Sequence, residues 1–402
     1  MRILVADKLA PFVSGRLQDL GGQVTVDTSA KDAALTARIA DLDPEVLVVR
    51  STKVTGADVQ AGKRLALVIR AGAGVNTIDT AAASARGVYV ANCPGKNAVA
   101  VAELAIGHLL NLDRRYVDNA IALREGRWDK KKFGVARGLR GRTLAVLGTG
   151  TIGRETIKRA KALGMRVVGW SRSLTDLEAV ALGISRAGSP EAAVDGADGV
   201  SVHLALAKET RGRIGESVFA AMKPGAWFVN TARAEVVDHD ALVRAIDEKG
   251  IRAGLDVFPD EPASAQSAYT HPLLTRANVY GPAHIGASTD EAEEAVGAEV
   301  VAIVAAYRAG ASIPNCVNLA TRTPATHLLV VRHADRVGVL AGVLGVLREN
   351  AVNVEDMQNI IFSGGNAACA RIATKGALGE AGLARIAADP AVYAISQVTL
   401  TE

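Results

Sequence analysis

A glycine-rich loop, VLGTGTIGR at residues 146–154, closes the apolar run TLAVLG (143–148) and opens a helical stretch over 151–163. Gly148, Gly150 and Gly153 stand in G-x-G-x-x-G spacing between strand and helix, a setting that leaves few folds open. Gly148 permits a tight turn, Gly150 lets a pyrophosphate approach the backbone, and Gly153 lets the helix sit close on the strand. The helix N-terminus then turns free N–H groups and a positive dipole toward the phosphates. Short apolar runs recur on both sides of the loop: ILVA, VLVVR, LALVIR and VYVAN before it, and MRVVGW, GVSVH, AWFVN, RAGLDV and NVY after it. Alternating with helix-length segments, they predict parallel sheets covered on both faces.

At 402 residues the chain is too long for one ordinary core. Two long Ala-rich helices, over 99–115 and 289–310, bracket the glycine-loop unit, so the chain is expected to leave one domain, build a second and return. The expected class is α/β. A discontinuous flavodoxin-like domain takes 1–98 and 285–315, and a Rossmann domain takes 99–284. A turn-rich linker over 316–326 leads to 327–402, whose βαββαβ order is that of a ferredoxin-like module. With 46 basic and 42 acidic residues and no arginine-rich block, nucleic acid is a poor partner. Three scattered cysteines have no metal-ligand spacing and fit reduced thiols in the cytoplasm; MRILVAD reads as a strand, not a signal peptide, and no run is long enough for a membrane span.

Three residues just past apolar runs carry the chemistry: Arg233 in NTARAEVVD, Glu261 in LDVFPDEP and His284 in GPAHIGAST. Arg can grip a carboxylate and polarise a carbonyl, His can trade a proton, and Glu can hold the imidazole in its charged form. A lone His is more often a structural hydrogen bonder, and His108, His239 and His271 are left in that class. The strand after the glycine loop ends in Trp170-Ser171-Arg172, where an NAD site would place a carboxylate for the ribose. Ser171 and Arg172 suit a 2′-phosphate and point to NADP; the alternative is that Arg172 stacks on adenine and NAD binds.

Together with VVRSTKVT (48–55), RAGAGVNTID (70–79), NCPGKNAVAVAEL (92–104) and EGRWDKKKF (125–133), these segments resemble the D-2-hydroxyacid dehydrogenases, and among them the D-3-phosphoglycerate dehydrogenases. The segment HADRVGVLAGVLGVLRENAVNVEDM (333–357) resembles the ACT domain. The resemblance implies oxidation of 3-phospho-D-glycerate to 3-phosphohydroxypyruvate, the first step of serine synthesis, with His284 as acid/base, Glu261 as its partner and Arg233 as the orienting cation. It implies a cofactor set of Gly148, Gly150, Thr151, Ile152, Gly153, Ser171, Arg172, His203, Thr231, Asp256 and Gly286, with Asp256 near the nicotinamide. It places the substrate carboxylate on the backbone of Ala73, Gly74 and Val75, and the phosphate near Arg50, Ser51 and Lys53. Lys131 and Lys132 are expected to add charge across a dimer contact. His333, Asp335 and Asn353 match positions that hold an amino-acid effector such as L-serine, in a homodimer or homotetramer. Two rivals remain: an NADPH-linked glyoxylate or hydroxypyruvate reductase, and a non-catalytic ligand sensor. This chain departs from the family pattern in Ala234-Glu235 for Gly-Gly, Ala283 for Pro, Asp335 for Asn and Val337 for Pro.

Overall fold

VLVV at 46–49 has no polar side chain and is buried at every position, as a strand covered on both faces must be. It is the middle strand of a parallel five-stranded sheet, β1 (Arg2–Val5), β2 (Gln23–Val26), β3 (Val46–Val49), β4 (Leu67–Arg70) and β5 (Tyr89–Asn92), in the order β2-β1-β3-β4-β5. That is the flavodoxin-like order. β2 is absent from the apolar runs of the sequence: QVTV lies at the sheet edge and is only partly buried, so it needs no such run. The computed structural model describes residues 1–262 and 266–400. Residues 263–265 of the expected Rossmann span and 401–402 of the expected tail module lie outside the described residues.

The second sheet holds β6 (Thr143–Leu147), β7 (Arg166–Trp170), β8 (Ser185–Arg186), β9 (Gly199–Val202), β10 (Trp227–Asn230), β11 (Arg252–Leu255) and β12 (Val279–Tyr280). All its pairings are parallel, in the order β12-β11-β10-β9-β6-β7-β8. Strand order reverses between β6 and β9, and the crevice beyond the carboxyl ends at such a reversal is where open α/β sheets take ligands. The Ala98–Arg114 helix packs on the Thr151–Ala162 helix and on β10 and β11, which accounts for its small side chains. The Asp290–Arg308 helix returns to the first sheet, where Val300, Ile303 and Val304 join the core of Ile3, Val13 and Leu17.

Met1–Asn318 and the remaining residues form two compact units. Cys316–Asn318, expected in the linker, instead stitch the edge of β5: Ala91 bridges Cys316, and the Asn318 carboxamide takes the Val90 N–H at 2.8 Å and donates to the Val88 carbonyl at 2.8 Å. The second unit is an antiparallel sheet of β13 (His327–Ala334), β14 (Asn353–Ile361), β15 (Ala367–Lys375) and β16 (Val392–Thr399), in the order β14-β15-β13-β16. The helices Val339–Glu349 and Glu380–Ala387 contribute Val343, Leu347 and Ile386 to its core, giving the expected ferredoxin-like arrangement. Among the described residues no helix is long and apolar enough to cross a membrane.

Candidate active site

The turn after β10 is set by a buried amide. Asn230 accepts the Ala232 N–H at 3.0 Å and donates to the Arg233 carbonyl at 3.0 Å, so the chain doubles back at the sheet end. Arg233 spends one donor on the Ala232 carbonyl and has no carboxylate in ion-pair reach among the described residues. After β11, Glu261 accepts the Phe258 N–H at 2.8 Å through Oε1 and faces His284 Nδ1 at 2.6 Å through Oε2. Tyr269 Oη donates to the Pro259 carbonyl at 2.6 Å and fixes the same turn.

His284 lies past β12 with φ +53°, a left-handed conformation that costs any residue bearing a Cβ. Asp256 imposes it. Its two carboxylate oxygens accept the N–H groups of Ile285 and Gly286 at 2.8 and 2.9 Å. A Cβ on Gly286 would lie 2.6 Å from that carboxylate. Burial raises the pKa of Asp256, although both N–H groups oppose it. The hydrogen bond to Glu261 holds His284 above the usual imidazole value against the opposing effect of burial. Burial pushes Glu261 upward, but His284, the Phe258 N–H and the Arg233 charge outweigh it and keep the carboxylate ionised. With Nδ1 turned to Glu261, Nε2 is the ring atom that can exchange a proton with a ligand.

Arg233 and His284 open into a cavity of about 130 Å³ lined also by Arg50, Arg70, Ala73, Asn97 and Glu293. Arg70, at the end of β4, is a site residue that the sequence reading misses. Its guanidinium donates to the carbonyls of Arg50 at 3.1 Å and Gly74 at 3.0 Å. Burial, with the charges of Arg233 and Arg50, lowers its pKa. Gly74 is closely approached, since a Cβ there would stand 3.2 Å from Arg233 Nη2. Buried Asp7 shapes the far wall by accepting the N–H groups of Arg50, Ser51 and Thr52 at 2.6, 3.0 and 2.9 Å. Val75 packs against the core beside β3.

Ser51 and Lys53 are exposed and do not line this cavity. Lys132 is placed elsewhere. It lines a basic cleft with Arg142, Trp227 and Arg252, at the amino ends of the strands and away from Arg233 and His284. The chain by itself therefore does not bring Lys132 to the substrate cavity.

At the glycine loop the residues fit a dinucleotide. Gly148 has φ +102°, and a Cβ there would strike the His203 carbonyl at 2.5 Å; a Cβ on Gly153 would lie 2.0 Å from the Gly148 carbonyl. Gly150 faces open space, and Thr151 and Ile152 begin a helix with no side-chain cap on its N–H groups. The buried Thr231 Oγ1 and His203 Nδ1 have no partner among the described residues. Burial drops the His203 pKa to about 4, so the ring is neutral. Where a ribose carboxylate would stand, Ser171 Oγ lies 2.8 Å from Thr149 Oγ1, and Arg172 is exposed beside them.

Residues 106–286 match the family model described as "D-isomer specific 2-hydroxyacid dehydrogenase, NAD binding domain". D-3-phosphoglycerate dehydrogenase of Methanocaldococcus jannaschii is 38% identical over 322 residues, covering 79% of this chain and 60% of that protein. The chain belongs to the D-isomer specific 2-hydroxyacid dehydrogenases. This family member spans about 60% of the length of the first curated relatives it matches. Among solved structures, the TT0316 protein from Thermus thermophilus matches with TM-score 0.69 and 31% identity, over 79% of this chain and all of that one. The NAD+-bound 3-phosphoglycerate dehydrogenase of Entamoeba histolytica matches with TM-score 0.65 and 25% identity, over 79% of this chain and 99% of that one.

The tail of this 2-hydroxyacid dehydrogenase separates the residues expected to hold an effector. His333 pairs with Ala368 across β15, whereas Asn353 pairs with Lys375 through β14. Seven strand residues put them about 24 Å apart. His333 is buried, with its ring nitrogens on the Ala334 carbonyl and Asn359, and Asp335 is exposed. One copy therefore does not assemble the trio.

Proposed function

We propose that the chain oxidises 3-phospho-D-glycerate to 3-phosphohydroxypyruvate. The observation that carries this reading is the convergence of Arg50, Arg70 and Arg233 on one small cavity beside the His284–Glu261 pair. A substrate with a carboxylate at one end and a phosphate at the other needs cations at both ends. Arg233 grips the carboxylate and the C2 oxygen, with the Ala73–Gly74 backbone alongside. His284 Nε2 takes the C2 hydroxyl proton, and Glu261 stabilises the resulting imidazolium. Arg50 and Arg70 face the phosphate. A nicotinamide dinucleotide held along Gly148–Gly153, Thr231 and His203 would accept the hydride from C2. The D-3-phosphoglycerate dehydrogenases among the relatives support the substrate.

The hydroxyl pair of Thr149 and Ser171, with Arg172 exposed beside it, favours NADP over NAD. An NADP-linked reductase of glyoxylate or hydroxypyruvate is the second reading, on that observation alone. One assay separates them: the purified chain with 3-phospho-D-glycerate, glyoxylate and hydroxypyruvate, each with both cofactors. The expected result is turnover of phosphoglycerate at a kcat/KM above that for glyoxylate, with a preference for NADP of about tenfold, the worth of one charge-assisted contact. Turnover of glyoxylate alone would overturn the substrate assignment, and equal use of NAD the cofactor one.

For the tail we propose an amino-acid site shared by two copies, His333 and Asp335 of one facing Asn353 of the other, in a homodimer or homotetramer. Millimolar L-serine is expected to lower the rate and raise the thermal midpoint; if it moves neither, the tail serves assembly only.

A further inference from the structure

Arg50, which faces the substrate's far end in the reading above, already has a partner. Its Nη1 lies 2.7 Å from Glu293 Oε1, and each side chain keeps about a third of its surface exposed at 34%. Both line the cavity that holds Arg70, Arg233 and His284. Glu293 stands in the first turn of the Asp290–Arg308 helix, where the helix dipole also favours a negative charge. Helix and guanidinium together therefore keep a carboxylate in the place where a substrate's distal anion would make its contact.

We propose that Glu293 is an internal competitor for the distal anion, and thus a specificity-determining residue that limits how strongly the site selects phosphorylated over unphosphorylated 2-hydroxy acids. This rests on the reading that the cavity takes a phosphorylated 2-hydroxy acid. A phosphate reaching Arg50 must displace Glu293 or share the guanidinium with it, and two like charges at contact distance repel even where both remain partly solvated. A 2-hydroxy acid with an uncharged distal hydroxyl meets no such conflict, because a carboxylate can accept its hydrogen bond. Arg233, at the carboxylate end, spends one of its donors on a backbone carbonyl and stands outside this competition. The cavity thus opposes three guanidinium groups with one carboxylate, and that carboxylate is aimed at the end that distinguishes one substrate from another.

The test is Glu293→Gln, which keeps the size and helical position of the side chain and removes its charge. Dissociation constants for 3-phospho-D-glycerate and D-glycerate are measured calorimetrically on the full chain saturated with reduced cofactor, which cannot accept a hydride. Phosphoglycerate is expected to bind about tenfold tighter to the variant, the usual order for one relieved charge contact. The D-glycerate constant is expected to stay within about twofold, so the ratio of the two constants moves. A merely structural ion pair would lower the thermal midpoint and leave that ratio unchanged, and this result overturns the proposal. Turnover of phosphoglycerate is scored separately. A chain that binds phosphoglycerate without oxidising it refutes the assigned reaction while the ratio still tests Glu293, and a chain that oxidises it with an unmoved ratio refutes the competitor role alone.

Discussion

Replacing His284 by Asn lowers kcat for 2-hydroxy acid oxidation by about 10²–10⁴-fold, the range associated with loss of a positioned acid/base group. Cofactor affinity stays within about twofold, because among the described residues the ring's hydrogen bond goes to Glu261 and not to the glycine loop. Stopped-flow turnover and cofactor titration read the two effects independently, and an unchanged kcat removes His284 from the reaction. The same group sets the pH dependence. Its pKa lies above the ordinary 6.5, principally through the hydrogen bond to Glu261. Oxidation needs the neutral ring as base, so kcat/KM for oxidation rises as pH climbs through that elevated value. Reduction needs the imidazolium and falls over the same interval. A profile for oxidation that drops as pH rises through the neutral range contradicts the assignment.

Arg233→Lys is expected to cut kcat/KM by about 10²-fold, or ~2.7 kcal/mol of transition-state stabilisation, since a point charge replaces a planar fork. Arg233 has no competing carboxylate among the described residues, so its charge is available to a ligand, and Gly74 lets it approach the opposite wall. The loss should fall mainly on kcat if the contact strengthens as charge develops on the C2 oxygen. A loss confined to KM would make Arg233 a simple anchor.

Much of this arrangement is legible in the sequence. The apolar runs become strands because parallel strands covered on both faces must be continuously apolar, and the glycine loop falls where the sheet order reverses. β2 escapes because an edge strand can be half polar. Arg70 escapes because the glycines of RAGAG point to the backbone, and nothing local signals that a strand-end cation faces a cavity shared with Arg233. Lys132 is expected to add its charge across a dimer contact; within one copy it lies at the amino ends of the strands, so the cavity of its own chain does not receive it. The resemblance makes Asp256 a cofactor contact; in the structure its carboxylate is engaged by the backbone of the His284 turn. Glu293 has no signature, since an acidic residue in a first helical turn is commonplace.

The left-handed backbone at His284 sets stability against activity. Asn adopts that conformation more readily than His does, so an Asn at position 284 relieves local strain while abolishing proton transfer. Selection for fold robustness alone would drift this position away from histidine. Under the acid/base role proposed for His284, the turn, the buried Asp256 beneath it and the glycine that follows answer to catalytic demand rather than to folding.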